Sequence, residues 1–327
     1  MAARMKALRN ILIVAQDGRL QYEALLLAAS LRHFPGNRDL RLYVAEPQPG
    51  PLWPDDPRLT RPAIRRELRA LGAQIVPLHN RHWGARYPNA NKIEALALLP
   101  PNEPFLFLDT DTLITGDLSG LDCARPTASV RVEPTWPRIS LYGPGFVEIW
   151  GALYDLAGVN MAPTLDVRFA PDDWRRYAYF NAGWFSGPCP AQVHKLYQEL
   201  ALQIEANPPA VIATQALYPW LDQIALPLVI AALGGGRPES GLDHNLSLHY
   251  RALPIIYATA PAPTITLLET ITGAQHLWDI FNQYVSFRRM VFKGEGRILR
   301  EKVAGTSLPW THGALTRQIR ELGHWVR

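Results

Sequence analysis

Two aspartates, Asp109 and Asp111, follow directly on the apolar run Phe105, Leu106, Phe107 and Leu108. Such a run reads as a buried strand, and side chains at i and i+2 of an extended chain point the same way. The two carboxylates can therefore converge on one point. The carboxyl end of a strand is also where open α/β sheets place their ligands. Two carboxylates meeting there suit a hard divalent cation, Mg²⁺ or Mn²⁺, with the oxygens of a bound diphosphate as further ligands. The competing reading is local, because aspartates after a strand also close turns on nearby backbone N–H groups.

The elements that must position this pair are legible around it. Apolar runs at 11–15, 40–45, 73–78 and 105–108 alternate with helical periodicity at 22–33, 63–71 and 91–99. Strand–helix alternation of this kind implies a mostly parallel sheet with helices on both faces. The second half is more mixed: strands are expected at 179–185, 246–249 and 264–268, and helices at 191–206 and 220–233. A final helical stretch runs over 275–303. The 29 prolines cluster at 47–62, 135–144, 161–171 and 254–263, which reads as long structured loops of the kind that serve as lids or binding surfaces.

Composition narrows the function. With 327 residues and 48% hydrophobic content, the chain can bury a large core and is not disordered. The formal charge of +4 is too small to be a nucleic-acid footprint. It is also uneven, since residues 281–327 hold nine Lys/Arg against three Asp/Glu. Two cysteines, Cys123 and Cys189, make neither a disulfide framework nor a zinc site, which suits a reducing compartment. The apolar run at 11–14 is too short for a signal-peptide core. The run at 221–233 carries Asp222, Gln223 and Pro227 and falls short of the about 20 residues a membrane span needs. A cytoplasmic protein is expected, with the basic tail offering peripheral contact with the inner face of a membrane.

Further motifs stand in order along the chain: Asn91 and Lys92 on a helix, Gly116, Asp117 and Leu118 after the acidic pair, then Tyr179, Phe180, Asn181, Ala182 and Gly183, and finally Leu221, Asp222 and Gln223 opening a helix. Together with the Asp109–Asp111 segment, these resemble the GT-A glycosyltransferases, in particular the retaining, glycogenin- and galactosyltransferase-like branch of glycosyltransferase family 8. The resemblance covers roughly residues 10–250. It implies a Rossmann-like, mostly parallel sheet flanked by helices over residues 1–280, with a basic helical extension over 281–327 packed on it. The implied activity is transfer of a hexosyl group, with retention, from a nucleotide-diphosphate sugar, the expected donor being a UDP-sugar with Mn²⁺ or Mg²⁺. The acceptor, a glycan, a lipid-linked saccharide or a protein, is left open.

The same resemblance assigns roles. Asp109 and Asp111 would hold the metal, and Thr110 lies between them at the donor site. Lys92 would approach the donor and offset phosphate charge. Asn181, Ala182 and Gly183 would form a sugar-facing turn, and Asp222 and Gln223 would lie beside the anomeric carbon, with Asp222 the acid nearest the chemistry. Read from residue type alone, Asp222 and Gln223 are equally an N-cap and a first-turn polar group. Gln16, Asp17 and Tyr22 are expected at the nucleotide, and Asn245 as a late support of the pocket. Family members often supply a third metal ligand from a segment H-x-x-G-x-x-K-P-W, which this sequence lacks. His276 is the expected substitute, with His249 and Glu269 as alternatives. Two rival readings follow from the same acidic pair: a haloacid-dehalogenase-like phosphatase with Asp109 as nucleophile, and a non-catalytic protein that binds nucleotide-sugars.

Overall fold

A computed structural model describes residues 6–130, 134–239 and 242–327. Four apolar runs form β1 (Asn10–Val14), β2 (Arg41–Pro47), β3 (Ala73–Leu78) and β4 (Phe105–Leu108), separated by α1 (Arg19–His33), α2 (Pro62–Ala70) and α3 (Asn91–Ala95). Beyond them come β5 (Thr112–Ile114), β6 (Thr127–Val130), α4 (Phe146–Leu156), β7 (Phe180–Gly187), α5 (Pro190–Ala206), α6 (Leu221–Ala232) and β8 (Ser247–His249). The remainder is helical: α7 (Leu253–Thr259), α8 (Ala262–Thr272), α9 (Gln275–Phe281), α10 (Val285–Phe287), α11 (Glu295–Val303) and α12 (His312–Glu321).

The main sheet has six strands in the order β3-β2-β1-β4-β7-β6. β1 to β4 pair in parallel, while β7 runs antiparallel to both β4 and β6. Burial on both faces explains why β1 and β4 read as unbroken apolar runs. Ile11 and Ile13 enter one core and Leu12 the other; Leu106 and Leu108 likewise face away from Phe105 and Phe107. One core gathers α1 and the C-terminal helices, and the opposite core gathers α3 to α6. This is the mixed, mostly parallel sheet with flanking helices that the GT-A resemblance implies, followed by a helical C-terminal region.

Three expectations are corrected. The strand expected at 264–268 lies inside α8, whose buried residues Ile265, Leu268, Ile271 and Thr272 recur at the helical spacing. A run of β-branched residues resembled a strand only because the window was shorter than two helical turns. The proline-marked loop at 254–263 is α7 and the start of α8. Pro254 and Pro263 stand at the first turns of these helices, where a missing N–H breaks no helical bond. The helical stretch at 275–303 is interrupted, and Gly294 at φ 72° separates α11 from the turn before it.

No helix among the described residues is long and apolar enough to cross a membrane. Much of the positive charge of the tail is engaged within the fold. Arg289 pairs with Glu295, Arg297 with Glu269, and Arg300 donates to the carbonyls of Tyr257 and Ala260.

Candidate active site

Backbone pairing builds the centre of the site. Immediately after β4, the Asp109 N–H donates to the Gly183 carbonyl at 2.8 Å, and the Tyr250 N–H donates to the Asp111 carbonyl at 2.9 Å. The first bond ties the acidic segment to β7. The second continues the antiparallel β5–β8 pair, in which Thr112 stands opposite His249. That register brings His249 to the acidic pair, its Nε2 3.1 Å from Asp111 Oδ1 and 4.0 Å from Asp109 Oδ2. One ligand atom from each of the three residues lies within 4.8 Å of the others. Gly183 makes room for the imidazole, since a Cβ there would lie 2.3 Å from His249 Nδ1.

His276 does not join this cluster. It is exposed near the start of α9, and the chain between β8 and α9 is folded as two helices. Glu269 is held by Arg297 and by the Tyr257 hydroxyl. His249 is the histidine beside the pair because strand pairing, which a sequence does not display, sets which distant segment lies alongside.

The second half of the site is organised by Lys92. All five residues of α3 are buried, and the Lys92 side chain reaches past the Phe107 ring toward the end of β4. Its Nζ donates to the Ala182 carbonyl at 2.9 Å and lies 3.1 Å from Asp109 Oδ1 and 3.2 Å from Asp222 Oδ2. Asp222, at the start of α6, is 1% exposed. Its Oδ1 accepts from the Tyr87 hydroxyl at 2.6 Å. One ammonium thus links the acidic segment, the turn at Ala182 and the α6 carboxylate.

Asp109, Asp111, Lys92 and Asp222 line a cavity of about 260 Å³ with Gln16, Thr110, Asn181, Ala182 and Gln223 in its wall. Asn181 Oδ1 accepts from the Gly183 N–H at 3.0 Å, closing the expected turn. Three expected positions fall elsewhere. Tyr22 is 3% exposed and stacks on Tyr284 at 4.8 Å. Since α1 begins at Arg19, Tyr22 lies a turn inside the helix on its core face, and Arg19 and Leu20 take the cavity wall instead. Asp17 is exposed and accepts from Gln21 and Thr60 outside that wall. Asn245 is exposed, and its backbone oxygen accepts from the Thr115 hydroxyl.

Arg19, Asn89 and Arg327 line the cavity and Tyr87 holds Asp222 from behind it, and the sequence did not single them out. Arg19 marked itself only as the first helical residue after Gly18, and Arg327 is far away in sequence. Tyr87 and Asn89 sit just before Asn91 and Lys92, so the motif had a longer functional edge than its two named residues.

The electrostatics are those of opposite charges held close together in a buried site. Burial pushes the Asp111 carboxyl up, but His249 and Arg19 beside it hold it well below the ordinary carboxylate range. For Asp109 burial prevails over Lys92 and His249, and its pKa is raised. Burial alone would lower the pKa values of Lys92 and His249, yet the facing carboxylates raise both. Glu23, buried behind Arg19, is pushed up to about 8 by burial and by the Asp111 charge, against the pull of Arg19.

Residues 11–234 match the family model of the Rhodobacterales glycosyltransferase domain. The chain belongs to this glycosyltransferase family. The match spans the acidic pair, Lys92, the Asn181 turn and Asp222. Solved structures similar to this glycosyltransferase include the galactosyltransferase LgtC in complex with donor and acceptor sugar analogues, at 17% identity, 70% of this chain, 72% of that chain and TM-score 0.40. The bifunctional glycosyltransferase WbbM is similar at 13% identity, 84% of this chain, 45% of that chain and TM-score 0.41. GlyE of Streptococcus pneumoniae TIGR4 is similar at 13% identity, 98% of this chain, 64% of that chain and TM-score 0.40. No curated protein sequence matches the chain.

Proposed function

We propose that this glycosyltransferase is metal-dependent and transfers a sugar, with retention, from a nucleotide-diphosphate sugar. The observation that carries the reading is the Asp109, Asp111 and His249 cluster, whose two aspartates share a cavity with the Lys92–Asp222 pair. Two carboxylates and an imidazole fit a divalent first-row ion, and the imidazole favours Mn²⁺ over the oxygen-preferring Mg²⁺. When bound, such an ion supplies charge stabilisation for a departing diphosphate. The uridine nucleotide is carried by the resemblance to family 8.

The protein's own residues then have distinct tasks. Both oxygens of Asp222 are engaged, by Lys92 and Tyr87, so its task is to hold Lys92 and the start of α6 in place. Gln223 and Asn181, in the cavity wall, are the polar groups that read the donor sugar. Among the described residues the wall holds three aspartates, Asp109, Asp111 and Asp222, and each is paired. Their pairing supports front-face transfer. The acceptor oxygen bonds to the anomeric carbon as the bond to the diphosphate oxygen breaks, and the hydroxyl proton leaves with the nucleoside diphosphate. The family match decides against the phosphatase reading.

The test is thermal stabilisation by UDP, GDP, ADP and CMP, with and without Mn²⁺. A ligand at about 100 times its Kd adds about 2.7 kcal/mol. With an unfolding entropy of about 2.1 cal/mol/K per residue over 327 residues, this raises Tm by about 4 °C. One nucleotide should stabilise only with metal, and Asp109→Ala/Asp111→Ala and His249→Ala should each abolish the shift. No shift with any nucleotide refutes the reading, while a shift without turnover of the corresponding nucleotide-sugar supports the non-catalytic alternative.

A further inference from the structure

The cavity around the acidic cluster opens into a longer trough. Asn181 belongs both to its wall and to that of a neighbouring cavity of about 860 Å³, which His249 also lines. That cavity shares Val130, Pro238 and Trp310 with a third, of about 800 Å³. At this far end the lining changes character: three arginines, Arg168, Arg175 and Arg237, stand among Phe169, Trp174 and Trp310.

Local turns hold two of the arginines. In the Asp166–Arg168 and Asp173–Arg175 units, the aspartate accepts from the backbone N–H two residues on and pairs with that residue's guanidinium. Arg175 also lies over the Phe169 ring, 4.4 Å from its centroid. Arg237 differs. Its Nη2 donates to the carbonyls of Arg175 and Arg176 at 3.3 and 3.2 Å, and it makes no ion pair among the described residues. Carbonyl partners orient a guanidinium without neutralising it, and Asp166, the carboxylate that attracts Arg237, is already paired with Arg168. Trp310 is 71% exposed at the junction of the two cavities. Its open aromatic face stands beside the cationic pocket, an apolar platform next to charge-assisted donors.

We infer that this trough is the acceptor groove and that the acceptor is an acidic saccharide. A sugar ring lies on the Trp310 face, and a carboxylate or phosphate at the far end docks on Arg237 with Arg168 and Arg175 around it. Planar bidentate recognition of such groups is what a guanidinium fork provides. The hydroxyl to be glycosylated sits at the other end, toward Asn181 and His249. This inference rests on the transferase reading.

Binding of three probes, measured by calorimetry in the presence of UDP and Mn²⁺, tests it: a neutral disaccharide, the same disaccharide ending in a uronate, and the same disaccharide carrying a phosphate. At least one acidic probe should bind roughly tenfold or more tighter than the neutral one, the size of a charge-assisted hydrogen bond. The tighter acidic probe identifies the acidic group. Arg237→Gln should erase the preference and Arg168→Gln, at an exposed position, should reduce it, while Trp310→Ala weakens all three probes alike. Equal binding of neutral and acidic probes, or a preference that survives Arg237→Gln, overturns the inference. Absence of any nucleotide-induced thermal shift in the same samples would instead overturn the transferase reading beneath it.

Discussion

Lys92→Met tests the central claim that one buried ammonium holds the site together. The ammonium has three partners, Asp109, Asp222 and the Ala182 carbonyl. Methionine nearly matches the lysine stem in volume, so the substitution removes charge and donors without opening a large cavity. Asp109 is 29% exposed on its side chain and can turn to water, whereas Asp222 at 1% cannot. Its carboxylate keeps the Tyr87 hydroxyl as a donor, and its own N–H donates to the same hydroxyl oxygen. Breaking a buried ion pair from one side costs about 3–5 kcal/mol. With an unfolding entropy of about 0.7 kcal/mol/K for a chain of 327 residues, Tm should fall by about 4–7 °C. Asp222→Asn alone keeps an acceptor for Tyr87 and leaves Lys92 its other partners, so it should cost about 1–2 kcal/mol. In the double variant the buried charge is gone, and the loss should be smaller than the sum of the two by at least about 1 kcal/mol. Calorimetric melting of the metal-free protein at neutral pH measures all four corners. Additive losses, or a Lys92→Met loss below about 1 kcal/mol, would refute the reasoning, because either means that Asp222 does not depend on this cation.

Two further outcomes are expected. Gly183→Ala puts a Cβ 2.3 Å from His249 Nδ1, so the imidazole must move off the acidic pair. The Mn²⁺ concentration needed for nucleotide-dependent stabilisation should rise by at least about tenfold, and an unchanged requirement would show that His249 does not serve the metal. Glu23, raised to about 8 when folded from an ordinary 4.5, binds a proton more tightly in the folded state. Its contribution is therefore favourable at low pH and is lost as pH rises from about 4.5 through about 8, by a few kcal/mol at most. Glu23→Gln should flatten the fall in Tm between pH 6 and 8.5 in metal-free protein. A variant that melts with the wild-type slope over that window would assign the pH dependence to another group.

The strands at 11–15, 40–45, 73–78 and 105–108 and the helices between them were legible because two-sided burial demands continuous apolar runs and amphipathic helices demand their own period. Asp109, Asp111, Lys92, Asn181 and Asp222 were legible for another reason. Each stands at the end of an element that the apolar pattern marks, and the chain carries them in a recognisable order. The helical C-terminal half was less so, since β-branched residues and prolines in short helices imitate strands and loops. Pairing and approach were decided by tertiary structure alone. His249 rather than His276 faces the acidic pair because β5 and β8 are in register, Arg19 rather than Tyr22 reaches the cavity because α1 begins two residues after Asp17, and Arg237 meets Arg168 and Arg175 across a long stretch of chain. Local sequence encodes which surfaces each element must bury and which groups sit at its ends. Contacts between ends far apart in the chain depend on how all elements pack at once, and only the folded chain holds that information.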